Sequence, residues 1–277
     1  MIVDLKYSIL FVVYGIMILN RTTTSETIDP ELSASLYFNG MSADEIEKII
    51  FSKPLTLIYF NSHGLAEPLR LIMYYAEIKF TDNRISEEDW YNKYKKLMPF
   101  GQLPVLKIDV EDNKSIYLHQ SLALCRYIAK FANLVGDKSP WTMLLIDKVV
   151  GNIEDFLQEF KKVYYEKDET IKEKLNYDLI HTKIPLFMTE YEEIAEKNDA
   201  HFVQEKLTWA DIYGVAIFDF MGKLLNIDMY ENKPVLRRLR EKVYNIKKIS
   251  EALIQRSKIM ISVPEILFPS VDQICAA

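Results

Sequence analysis

Cysteine is almost missing: Cys125 and Cys275 are the only two in 277 residues. So few cannot form a disulfide framework, and without a Cys-x-x-Cys pair or a Cys/His cluster there is no zinc signature. The four histidines, His63, His119, His181 and His201, lack metal-ligand spacing, so each is expected in the core or on the surface and no metal is predicted. Positive charge is also in deficit, with 34 Lys and Arg against 40 Asp and Glu and a formal net charge of −6. That balance provides no basic field for a phosphodiester backbone and argues against nucleic acid as a partner. The apolar run "SILFVVYGIMIL" at 8–19 has 12 residues, well short of the ~20 that span a bilayer.

That run follows Lys6 and has the size of a secretory h-region, so the expectation is a signal-like segment over 1–20 and a secreted chain,. Asn20-Arg21-Thr22 and Asn113-Lys114-Ser115 are N-glycosylation acceptors, meaningful only on the secretory route,. Asp4 and the lack of a small-x-small cleavage site leave a cytoplasmic chain or an uncleaved membrane anchor as the alternatives.

Hydrophobic residues at 49% and charged residues at 27% mark a folded chain, long enough for two domains with substantial cores,. Residues 21–52 read as a linker outside the main fold, although "SADEIEKII" carries a short helical pattern. Within it, "SLYFNGMSADE" faintly repeats the later "LIYFNSHGLAE", but Tyr37 there lacks both the preceding strand and the following helix.

From Lys53 the pattern becomes regular. "PLTLIYF" is a buried strand, and Leu65, Leu69, Ile72, Met73 and Ala76 then recur at helical spacing, with Pro68 in the first turn,. "FTDNRI" reads as a weaker strand, "SEEDWYNKYKKL" as a short polar helix, "LPVLKID" and "SIYLH" as a hairpin around "VEDNK", and "QSLALCRYIAKFA" as a helix,. After a boundary near 133–140 only helices follow. The first carries the stripe Ile146, Val149, Val150, Ile153, Phe156, Leu157 and Phe160, and others are expected near 170–198, 208–225, 233–246 and 250–259,. Thr208 and Asp211 form a Thr-x-x-Asp capping pair whose role is folding,.

Together "LTLIYFNSHGLAEPLRLIM", "PFGQLPVL", "LHQSLALCRYIA" and "LTWADIY" resemble the glutathione S-transferases. The resemblance covers about 53–258 and is nearest the sigma class, with its nematode and insect enzymes and glutathione-dependent prostaglandin D synthases. It implies an α/β plus all-α fold: a thioredoxin-like glutathione-binding domain over 53–132, an all-helical domain over 140–260, a tail over 261–277, and usually a homodimer. By that resemblance Tyr59 is the phenol that activates the glutathione thiol. A hydroxyl donating to sulfur favours the thiolate, which is scarce at neutral pH in a free thiol.

The resemblance further implies that Leu103 pairs its backbone with the cysteinyl part of glutathione and that the peptide bond to Pro104 is cis, whereas sequence alone favours trans. Gln120 and Ser121 would receive the γ-glutamyl end at a helix N-terminus, with Ser121 as a plain N-cap the simpler reading. Trp90 and a lysine would meet the glycine end. One extra residue in "DWYNKYKKLMPFG" makes Lys95 the choice, with Lys93 and Lys96 as alternatives. Asp155 would reach across a dimer toward the glutathione amine.

Two departures stand out. Leu65 occupies a position where the family commonly has arginine, with His63 two residues earlier, and Gly151 replaces one acid of the prostaglandin synthases' metal cluster. The implied activity is conjugation of glutathione to hydrophobic electrophiles held between the domains. The alternatives are a weakly catalytic protein binding glutathione or apolar ligands, and a glutathione-dependent prostaglandin isomerase.

Overall fold

The computed structural model describes residues 38–111 and 114–260. The apolar run at 8–19, both sequon asparagines, Tyr37 and the 261–277 tail with Cys275 lie outside the described residues.

The helical pattern upstream of Lys53 forms helix α1, Ala43–Ser52, closed by a Ser42/Glu45 capping box,. Its apolar side packs down: Ile50 is buried in the main core and the Phe51 ring stacks 3.9 Å from Phe131. The reading of 21–52 as a linker is therefore corrected over α1. Ile46, Ile49 and Ile50 give this short helix a face to bury, and that burial docks it,.

Four strands form one mixed sheet: β1 Leu55–Phe60, β2 Thr81–Ile85, β3 Val105–Glu111 and β4 Lys114–His119, in the order β2-β1-β3-β4. β1 runs parallel to β2 and antiparallel to β3, and β3 is antiparallel to β4. The near-continuous apolar run of β1 follows from its central place, covered on both faces. Leu55, Leu57 and Tyr59 enter the large core, while Ile58 joins Ile85, Trp90, Met98 and Val105 on the opposite face. The period of two thus turns Tyr59 toward the helical domain.

After a tight turn at Gly64–Ala66, helix α2 spans Glu67–Tyr75 with Pro68 in its first turn. Leu65 lies in that turn rather than on the helix face where its spacing placed it, because helical geometry begins at Glu67. Every side chain from Glu67 to Met73 is buried, Glu67 and Arg70 included. The short polar helix is Glu87–Asp89, continued as a wide turn over Trp90–Tyr94 in which the Lys95 N–H donates to the Trp90 carbonyl at 2.8 Å. A five-residue hydrogen bond is how a helix absorbs one extra residue. Helix α3 is Ser121–Phe131.

The helical domain comprises α4 Pro140–Tyr164, α5 Glu169–Asp178, α6 Ile184–Glu196, α7 Trp209–Leu225, α8 Pro234–Tyr244 and α9 Lys247–Met260. The helix expected over 170–198 forms as α5 and α6, which run on through a wide helical turn at Leu179–Lys183. Pro185 at the start of α6 explains the wide turn, since it lacks the N–H that a regular helix would use there,. Every residue of α7 from Trp209 to Phe218 is buried, as expected of a helix at the centre of a bundle,. α7 packs on α4 and α2, and α9 packs on α2. One continuous core therefore runs through both domains. Among the described residues no helix is long and apolar enough to cross a membrane.

Candidate active site between the sheet and the helical domain

A cavity of about 520 Å³ opens where β1 ends, with the sheet domain on one side and α4 and α7 on the other. Its sheet-side wall includes Tyr59, Leu65, Trp90, Leu103, Pro104, Gln120 and Ser121. Seven residues that the sequence singled out thus meet in one cleft.

Tyr59 is almost fully buried, and its Oη accepts the Leu65 backbone N–H at 3.2 Å. With its lone pair engaged in that way, the phenol keeps its own proton to donate. Burial raises the Tyr59 pKa above its ordinary value, while the Leu65 N–H and the Arg70 charge oppose the rise in part. The group is accordingly a protonated donor at neutral pH, as stabilising a thiolate requires. Gly64, at φ +45°, lets the turn approach this closely, because a Cβ there would sit 2.8 Å from the Tyr59 ring carbon Cε1,.

Leu65 changes the cleft less than its side chain suggests. The hydrogen bond to Tyr59 comes from its backbone, which any non-proline residue supplies,. A cation is also present: the Arg70 guanidinium lies 5.8 Å from the Tyr59 ring centroid, fully buried,. Arg70 donates to the Ser62 carbonyl at 2.9 Å and the His63 carbonyl at 3.2 Å, and pairs with Glu67 and Asp82. Sequence reasoning missed Glu67 and Arg70, although two charges inside the apolar run "LAEPLRLIM" were a usable signal, since paired charges are what such a buried helix tolerates,.

The Leu103–Pro104 peptide is cis, the isomer implied by the resemblance and not the one favoured by sequence alone. Gln120 is the N-cap of α3, at φ 71° and ψ 91°, and it makes no side-chain cap hydrogen bond. Ser121 is therefore the first helical residue and not the cap. The uncapped first turn leaves backbone N–H groups and the dipole facing the cavity, suited to a carboxylate. Gln120 also holds a left-handed backbone that costs a non-glycine residue ~1–3 kcal/mol, a form of strain that clusters at ligand sites.

Trp90 is buried, with its ring edge-on to Phe60 at 6.0 Å. Lys95 does not line the cavity but stands at its rim, with Nζ 5.4 Å from the ring centroid of Tyr91 and its stem beside Gly101, both of which do. Lys93 lies over Tyr94 instead, and Lys96 is exposed. Asp155 is exposed on α4 and takes no part in this wall, whereas its neighbour Glu154 does. The sequence also left unmarked the far wall, where Phe160, Tyr164, Tyr165 and Phe220 form an aromatic surface with Lys161 among them. On helices these residues read only as core. The Tyr213 hydroxyl donates to Glu154 behind that wall. Among the described residues no three metal-ligating side chains are grouped, and the Gly151 surface is open.

Residues 55–130 match the glutathione S-transferase N-terminal domain and residues 154–256 the glutathione S-transferase C-terminal domain. A glutathione S-transferase of Anopheles gambiae is 37% identical over 198 residues, 72% of this chain and 94% of that protein. Hematopoietic prostaglandin D synthase of Gallus gallus is 34% identical over 206 residues, 73% of this chain and 96% of that one. Among solved structures, a prostaglandin synthase D of Nilaparvata lugens superposes with a TM-score of 0.68 at 33% identity, covering 73% of this chain and 98% of its own. A thioredoxin-like sheet domain, a helical domain and a polar-to-aromatic cleft between them thus coincide with sequence matches over both halves, and the chain belongs to the glutathione S-transferase family.

Proposed function

We propose that the cleft binds glutathione along its sheet-side wall and that Tyr59 stabilises the thiolate, which attacks hydrophobic electrophiles lying against the aromatic far wall. The observation that carries this is the Tyr59 phenol, protonated and held by the Leu65 N–H at the end of β1 inside the cavity. Leu103 and Pro104 would flank the cysteinyl part, Gln120 and Ser121 the γ-glutamyl carboxylate, and Trp90 and Lys95 the glycyl end. The glutathione thiol releases its proton to solvent, and the Tyr59 O–H donates to the resulting sulfur anion without being transferred. The C–S bond then forms from the sulfur lone pair. With an activated alkene the displaced π electrons take up a proton from solvent, and with a halide the leaving group departs as the anion.

Several finer points belong to the same proposal. Similarity to insect enzymes and to the prostaglandin synthases supports sigma-class character. The synthase relatives also favour a second reading, prostaglandin isomerisation, which Gly151 in place of an acid weakens. A homodimer would bring Asp155 toward the partner's cleft. The apolar run at 8–19 and the sequons at Asn20 and Asn113 support secretion with glycans, which glycosidase treatment of protein from a eukaryotic secretory host would test.

The deciding experiment is ultraviolet thiolate absorbance of bound glutathione against pH, in the parent and in Tyr59→Phe. The expected result is a thiol pKa at least ~1 unit below the free thiol in the parent, moved back up in the variant, with kcat lowered ~10-fold or more and glutathione binding kept. A parent that binds glutathione with an unshifted thiol would instead be a binding protein of this fold. Stereospecific prostaglandin product would establish the isomerase reading.

A further inference from the structure

Arg256 in α9 lies 189 residues from Glu67, yet its Nη1 donates to Glu67 Oε1 at 2.7 Å. Its Nη2 lies 3.4 Å from His63 Nε2. Both partners belong to the segment that shapes the end of β1. The other oxygen of Glu67 faces Arg70 Nη1 at 3.2 Å, so one buried carboxylate bridges two arginines, one from each domain. Arg70 in turn holds the carbonyls of Ser62 and His63, and the turn they lead into presents the Leu65 N–H to Tyr59. Gly64 has no room for even a methyl group against the phenol, so displacement of this loop passes directly to Tyr59.

We propose that Arg256 is a positioning residue for Tyr59, acting from the last helix through Glu67, Arg70 and the loop at 62–65. This rests on the reading of Tyr59 as the thiol's partner. Burial by itself would raise the Glu67 carboxyl; Arg256 is the largest opposing influence, followed by His63 and Arg70, and together they hold it at about 2. Without Arg256 the carboxylate must lean on His63 and Arg70 or take up a proton. Either response alters the geometry of Arg70 and loosens its grip on the loop carbonyls. The docking of α9 and the donor geometry of the phenol are in this way coupled across the domain boundary.

The test compares parent, Arg256→Met, Arg256→Lys and Lys248→Met by thiolate titration, kcat and KM for glutathione, with Tyr59→Phe as reference. Lys248 on the same helix makes a separate tie to the sheet domain, an ion pair with Glu77 at 2.5 Å that does not touch the loop. The expected result for Arg256→Met is a bound-thiol pKa raised by ~0.5–1, a thiolate fraction ~3–10-fold smaller below that pKa, with kcat lowered to match and KM little changed. Arg256→Lys should fall between it and the parent, and Lys248→Met should keep the parental thiol pKa. A parental thiol pKa in Arg256→Met, or an equal rise in Lys248→Met, would overturn the proposal. Should Arg256→Met fail to fold, Arg256→Lys decides, because lysine lacks the fork by which Nη1 meets Glu67 while Nη2 meets His63, and a parental pKa there would overturn it,. If Tyr59→Phe itself leaves the thiol unchanged, the Tyr59 reading falls first and separately.

Discussion

At the scale of single residues, the chemistry of the cleft depends on charges placed where charge is expensive. Glu67 is buried and its carboxyl is held at about 2, so it stays ionised over the whole ordinary pH range. Because the folded value lies below that of an unfolded glutamate, its contribution is complete above about pH 4.3 and is lost as pH falls toward 2. Glu67→Gln should therefore lower stability at neutral pH by ~3 kcal/mol, with the deficit shrinking between pH 4 and 2. Denaturant melts of parent and variant at pH 7, 4 and 2.5 would read this, and a constant difference across that range would refute it. Cys125 is the opposite case: burial drives its thiol far above the ordinary value, so it is an inert core residue and not a second nucleophile,.

At the scale of elements, two local devices position the rest. The wide turn at Trp90–Tyr94 absorbs one residue while Trp90 stays packed under Phe60, and it delivers Lys95 rather than Lys93 to the cavity rim. Lys95→Ala is expected to raise KM for glutathione ~3–10-fold with kcat nearly unchanged, as loss of one partly exposed charge contact does, while Lys93→Ala and Lys96→Ala leave both constants as they are. The second device is Asp211 in the first turn of α7. Fully buried, it accepts the Thr208 N–H at 2.7 Å and the Phe202 N–H at 2.7 Å, tying the preceding loop to the central helix. Replacing it with alanine orphans both donors, for an expected loss of ~3 kcal/mol and a lower Tm with the thiol pKa of bound glutathione unchanged. Calorimetry beside the thiolate titration separates that folding role from any catalytic one.

At the scale of the whole molecule, large apolar side chains remain outside the core: Phe100 is 72% exposed and Trp141 65%. Leu97 and Leu144 are exposed as well. In a homodimer, light scattering should report about 65 kDa, twice the 32.5 kDa chain. Asp155→Ala should then raise KM for glutathione although Asp155 lies outside its own chain's cleft. A monomeric mass with an unchanged KM would remove both the dimer and that role.

Much of this was determined by the sequence alone. Periods of two and 3.6 place the four strands and most of the helices, because burial of a sheet face or a helix stripe imposes those repeats on the chain. Tyr59, Leu103, Pro104, Gln120 and Ser121, inside ordered motifs, and Trp90, outside them, were likewise singled out in the sequence, and all six line the cavity. Only the tertiary structure decided how remote residues meet. Packing of α9 on α2 brings Arg256 to Glu67, docking of Ile50 makes α1 part of the body, and the approach of α4 and α7 to the sheet turns Phe160, Tyr164 and Phe220 into a cavity wall. No sequence period encodes such contacts. A buried aromatic and a cavity-lining aromatic occupy the same helical positions, and what distinguishes them is whether another element fills the space opposite.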